Sequence, residues 1–152
     1  YHAIVEAYIK GDTKTVDKSE GLPAYLFRFS REVLDRIDNI HALEAPLYSD
    51  DLCIGGRVDC IAEFDGELAI IDFKTTKELK REEWLHKYFV QEAAYAYMYW
   101  ERTGVEVKKL VTISVAEDGQ TQVVEKYDKT PYIDVLCEWI KDFRYYMEGI
   151  KS

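Results

Sequence analysis

Cysteine is scarce in this chain. There are three in 152 residues, Cys53, Cys60 and Cys137. An odd, scattered set excludes a disulfide framework and fits neither a zinc knuckle nor an iron–sulfur cluster. Unpaired thiols point to a reducing compartment, with Cys53 and Cys60 packing as small apolar residues. Long apolar runs are missing too. None approaches the ~20 residues that cross a bilayer, and no signal-peptide pattern is visible, so no membrane partner is expected. Positive charge is in deficit: 20 Lys and Arg stand against 29 Asp and Glu, a net charge of −9. That argues against a protein that coats nucleic acid through a broad basic surface. It leaves room for a local groove, and bound metal would neutralise part of the acidity. The sequence shows no internal repeat or low-complexity tract.

What is present is the composition of a folded domain, 47% apolar and 32% charged with 12 Tyr. The length suits one domain spanning residues 1–152. Residues 2–10 read as the end of a helix, closed by Gly11-Asp12. Residues 12–21 are polar and read as an exposed loop. Leu22, Leu26, Phe29, Val33, Ile37 and Ile40 recur at helical spacing and predict a helix over 22–40. Residues 42–49 alternate as a strand, followed by a turn at 49–51. Residues 53–64 and 67–75 form a predicted hairpin, because Asp65-Gly66 is a strong tight-turn signal. Residues 82–103 carry the longest helical pattern, ending before Gly104. A second hairpin joins 109–115 to 121–127. A helix over 130–150 closes the chain, with Pro131 near its start and Gly149 near its end. The order predicts an α/β fold with a central mixed β-sheet flanked by helices.

Three charged residues stand out on the apolar strand segments. Asp59 ends Gly55-Gly56-Arg57-Val58-Asp59, and Asp72 and Lys74 lie in Ile70-Ile71-Asp72-Phe73-Lys74-Thr75. Charge on such segments is costly unless it is used or paired. Strand side chains alternate, so Asp72 and Lys74 point to one side, Ile71 and Phe73 to the other. An acid, a one-residue gap and a lysine can hold a metal ion and a cation over one spot, which suits hydrolysis of a phosphodiester. Arg57 shares a face with Asp59 by the same period, either to contact a phosphate or to balance the acids. A basic cluster, Lys74 to Arg81, follows directly. Alone it would read as a solvated loop; beside Asp72 and Lys74 it suggests strand guidance. Gln91 and Tyr95 are four apart and share a helix face. Trp84, Tyr88 and Tyr99 lie along the same stripe and are expected to be core. His41 and His86 have no supporting motif and read as structural or surface residues.

The chain resembles the PD-(D/E)XK nuclease superfamily, in particular its RecB-like exonuclease branch, with a restriction-endonuclease-like core. The branch signature is an upstream helical His, an Asp after a Gly-containing strand, Asp-x-Lys, and Gln-x-x-x-Tyr. Here these are His2, Asp59, Asp72-Phe73-Lys74 and Gln91-Glu92-Ala93-Ala94-Tyr95. The resemblance implies a divalent-metal-dependent deoxyribonuclease, an exonuclease threading single-stranded DNA or working from duplex ends. Asp59, Asp72 and Lys74 would be catalytic. Asp59, Asp72, His2 and the Phe73 backbone carbonyl would hold Mg²⁺ or Mn²⁺; oxygen ligands suit Mg²⁺, and an imidazole tilts the set toward Mn²⁺. Gln91, Tyr95 and Arg57 would meet substrate. Glu44 lies where related enzymes often carry a glutamate, and an edge-strand charge explains it equally well. The alternatives are an endonuclease of the same superfamily and a non-catalytic nucleic-acid-binding module. The setting implied is the cytoplasm of a bacterial or phage-infected cell.

Overall fold

A computed structural model describes residues 1–142 in full and the helical backbone of the last helix to Lys151. The chain runs α1 (His2–Lys10), α2 (Thr13–Asp17), α3 (Gly21–Leu34), β1 (Ile37–Ser49), β2 (Ile54–Phe64) and β3 (Glu67–Thr76). A short 3₁₀ turn (Glu82–Leu85) then leads into α4 (His86–Thr103), β4 (Lys109–Ala116), β5 (Thr121–Lys126) and α5 (Thr130–Lys151). The five strands lie in the order β1-β2-β3-β4-β5. All neighbours are antiparallel except β3 and β4, which are parallel and joined through α4. This is the mixed α/β sheet expected from the order of elements.

Two apolar layers cover the sheet, and strand alternation decides which residue enters which. Ile61, Ile70 and Leu110 meet Phe89, Val90 and Ala93 of α4 and Leu136 of α5. Cys60, Ile71, Phe73 and Ile113 meet Ile4 and Val5 of α1 and Ala24 and Phe27 of α3. The β2–β3 turn forms as its dipeptide demands. Asp65 and Gly66 have φ of 54° and 84°, the two positive values of a tight hairpin turn. Gly104 caps α4 with φ of 76°, its N–H donating to the Trp100 carbonyl at 2.7 Å.

Several boundaries differ from the sequence reading. The segment read as a loop over 12–21 contains α2, because Asp12 caps it: its carboxylate accepts from Thr15 N at 3.2 Å and Thr15 Oγ1 at 2.6 Å. The helix predicted to residue 40 stops at Leu34. Ile37 pairs with Phe64 and Asp38 with Glu63, so tertiary pairing takes into β1 a stretch whose apolar spacing also fits a helix. The helix predicted from 82 starts at His86, after the 3₁₀ turn. Gly149, read as the mark of the final helix end, lies outside the described residues. No helix among the described residues is long and apolar enough to cross a membrane.

Candidate active site

The site begins where two strands part. The β2–β3 ladder runs from Phe64–Glu67 to Cys60–Ile71 and stops there. Beyond that point β2 continues against β1, and β3 continues against β4 to Thr76. The parting frees the Phe73 backbone groups from the ladder. Such groups must find partners elsewhere. Asp59 Oδ2 accepts from Phe73 N at 3.0 Å, and His2 Nε2 donates to the Phe73 carbonyl at 2.8 Å. His2 Nε2 also lies 3.4 Å from Asp59 Oδ2. Thus α1, β2 and β3 each deliver one element of the cluster.

Asp72 and Lys74 face α4, on the side opposite Phe73. Lys74 Nζ lies 3.0 Å from Asp72 Oδ2. That buried oxygen is held by this ion pair and by no geometrically formed hydrogen bond. Asp59 and Asp72 meet carboxylate to carboxylate, and their environments separate them. Burial pushes Asp72 up, and the neighbouring Asp59 pushes it further, to about 7. Burial would raise Asp59 as well; contacts to His2, Asp72 and Phe73 N outweigh it and bring Asp59 to about 2. The pair therefore shares a proton. Burial alone would lower Lys74, but Asp72 and Asp59 hold it up and keep it an ammonium. His2 is raised chiefly by its contact with Asp59.

The donor set fits the geometry of a hydrated divalent ion. Adjacent corners of an octahedron with ~2.1 Å bonds are about 3 Å apart. His2 Nε2 stands 2.8 Å from Phe73 O and 3.4 Å from Asp59 Oδ2, close to that edge length. The open oxygen of Asp72 adds a hard ligand. Among the described residues no three His, Cys, Asp or Glu side chains form a cage by themselves. The set depends on the Phe73 carbonyl and on water, as suits a metal that keeps part of its hydration shell.

Around this cluster the other anticipated residues fall into two groups. Gln91 and Tyr95 meet as their spacing requires, Gln91 Nε2 donating to Tyr95 Oη at 3.1 Å. Tyr95 is buried, and burial followed by the nearby Asp72 and Asp59 raises its hydroxyl. Arg57 is exposed and pairs with Glu44, Nε to Oε2 at 3.2 Å. Glu44 stands across the β1–β2 ladder from Asp59, between the pairs Leu43–Cys60 and Ala45–Val58. Its φ of 48° is unusual for a non-glycine residue. It sits on the edge strand β1 and balances Arg57.

Three expectations are corrected. Cys53 is exposed in a turn with φ of 55° and does not pack, because β2 starts only at Ile54. Trp84 is 65% exposed, because the 3₁₀ turn rotates it off the α4 stripe. Tyr88 is half-buried among lysines, although it touches the core edge. Sequence reasoning also missed Glu92. It is buried on α4, with Oε2 accepting from Thr112 Oγ1 at 2.5 Å. Thr112 pairs with Asp72 across β3 and β4. Burial, then Asp72, raises Glu92 well above the usual carboxylate range. A signal was available: Glu92 falls at helical spacing between Phe89 and Ala96, on the apolar face.

The sequence pattern of the PD-(D/E)XK nuclease superfamily matches residues 2–151, and the chain belongs to that superfamily. Its members are nucleases that generally use divalent metals. Similar proteins include the mitochondrial genome maintenance exonuclease 1 of Homo sapiens, 26% identical over 81 residues, and that of Mus musculus, 26% identical over 80. Each match covers 53% of this chain but only 24% of the relative. A solved structure from Eubacterium rectale, described provisionally as an exonuclease, superposes with a TM-score of 0.60 at 11% identity. The superposition covers 98% of this chain and 65% of that one, and supports the fold.

Proposed function

We propose that this chain hydrolyses DNA phosphodiester bonds with Mg²⁺ or Mn²⁺, working from an end with a single strand in its groove. The observation that carries the reading is the meeting of Asp59 and Asp72 beside Lys74, where the strands part and release Phe73. Asp59, Asp72, the Phe73 carbonyl and His2 would hold the ion. When bound, it lowers the pKa of a coordinated water and neutralises charge on the phosphoryl oxygens. Lys74, kept as an ammonium by Asp72, stabilises charge building on the phosphate and orients the attacking water. The same charge makes it a poor general base. Tyr95, steadied by Gln91, offers its hydroxyl to a phosphate, and Arg57 reaches outward to the backbone. The exonuclease reading is supported by the name of the human and mouse relatives. The expected setting is the cytoplasm of a bacterial or phage-infected cell.

Labelled linear and circular single-stranded DNA with Mg²⁺ or Mn²⁺ tests the reading. Linear DNA is expected to be degraded and circular DNA spared, with EDTA, Asp72→Ala or Lys74→Ala each abolishing cleavage. Cutting of circles would favour an endonuclease. Tight binding without metal-dependent cutting would favour a non-catalytic module.

A further inference from the structure

Tyr88, on the first turn of α4, gathers positive charge. Lys74 Nζ lies 4.5 Å from its ring centroid, Lys87 Nζ 5.2 Å and Lys80 Nζ 6.0 Å. Lys74 is matched by Asp72. Neither Lys80 nor Lys87 forms an ion pair among the described residues, and both are exposed. Three like charges on one ring repel. An aromatic face offsets only a small part of that repulsion for exposed cations. The grouping is more conspicuous because the whole chain carries a net charge of −9.

The patch is held in place. Gln122 Nε2 of β5 donates to the Lys80 carbonyl at 3.2 Å, and Thr76 Oγ1 donates to the Glu78 carbonyl at 2.8 Å. These bonds fix the loop that brings Lys80 back over α4. Thr75 and Ser114 line the recess between Lys74, Lys80 and Tyr88. Lys74 belongs to this patch and to the acid cluster alike, so the patch begins where the candidate site ends. An anion entering it would relieve the repulsion and could accept from several donors.

Resting on the nuclease reading, we propose that Lys80 and Lys87, arranged around Tyr88, bind the backbone phosphate neighbouring the scissile one. The subsite reads charge and not base, and it gives an acidic protein a local hold on a polyanion. It aligns the strand so that the next phosphate lies against Lys74.

The test measures binding of a labelled single-stranded oligonucleotide by anisotropy, with Ca²⁺ in place of Mg²⁺, over a range of salt. The double variant Lys80→Ala/Lys87→Ala should bind roughly tenfold or more weakly. Its plot of log affinity against log salt should flatten by about 0.7, since one phosphate contact on a single strand is lost. A single uncharged methylphosphonate is then walked along the strand. Wild type should lose affinity at one linkage beside the cleavage point, and the double variant should lose nothing more there. If wild type binds and cuts while the variant keeps the full salt slope, or every methylphosphonate penalty, the subsite is refuted and the nuclease reading stands. If wild type neither binds nor cuts, that reading fails and takes the subsite with it.

Discussion

Tyr95 occupies the space that a side chain on Gly56 would need. A Cβ at position 56 would lie 3.0 Å from Tyr95 Cε1 and 3.1 Å from Tyr95 Oη. The glycine pair of β2 is therefore asymmetric in its purpose. A Cβ on Gly55 would meet only ordinary contacts, the nearest being the Leu47 carbonyl at 3.4 Å. Gly56 lets β2 lie close to Tyr95 of α4, whose hydroxyl feels Asp72 and Asp59.

Gly56→Ala is accordingly expected to push Tyr95 out of place and reduce kcat/KM roughly tenfold to a hundredfold, the scale of a small misplacement near reacting groups. Gly55→Ala should cost much less. Steady-state kinetics on both variants checks this, and equal losses would remove Tyr95 from the explanation.

Tyr95→Phe separates ring from hydroxyl. The ring still fills the space beside Gly56, so the melting temperature should hold within about 2 °C, the scale of a loss under 1 kcal/mol. The hydroxyl reached by Gln91 Nε2 is gone, and kcat/KM should fall roughly tenfold. A variant as active as wild type would mean that the hydroxyl does not touch substrate.

The acid cluster predicts a particular pH dependence in EDTA. In the folded chain Asp72 is pushed up to about 7, far above the usual aspartate value, so between about pH 4 and 7 it holds a proton that the unfolded chain has released. Stability therefore falls as pH rises through that window. Glu92, also raised, acts in the same direction. Asp59 is lowered to about 2, and its contribution is lost only in stronger acid. Asp72→Asn should flatten the decline and raise the melting temperature at pH 8 by several degrees, about 2–4 °C per kcal/mol, while abolishing cleavage. A steeper decline in Asp72→Asn would contradict the shared-proton picture.

The three thiols should differ in reactivity. Cys53 and Cys137 are exposed, whereas Cys60 is fully buried and its thiol is pushed up to about 12 by burial and the nearby Asp59 and Glu44. Native alkylation at pH 8 should label the first two and leave Cys60 intact until the chain is unfolded. Peptide mass spectrometry reads the outcome directly, and early labelling of Cys60 would show that β2 opens.

Much of this protein was written locally in its sequence. Asp65-Gly66 dictated a tight turn, because only a few residues adopt two successive positive φ values. Alternation along β3 put Asp72 and Lys74 on one face, since a strand has no other choice. Four-residue spacing brought Gln91 to Tyr95 on one turn of helix. Tertiary structure decided the rest. Ile37 and Ile40 suit a helix or a strand equally, and pairing with β2 settled it. The parting of β2 from β3, which releases Phe73 and lets His2 enter, depends on how β1 and β4 draw the two strands apart. Lys80 reaches Tyr88 only through the folding of the loop after β3, and Glu92 meets Asp72 only because β3 and β4 pair beneath α4: helical spacing puts Glu92 on the apolar face, but long-range packing decides what it meets there.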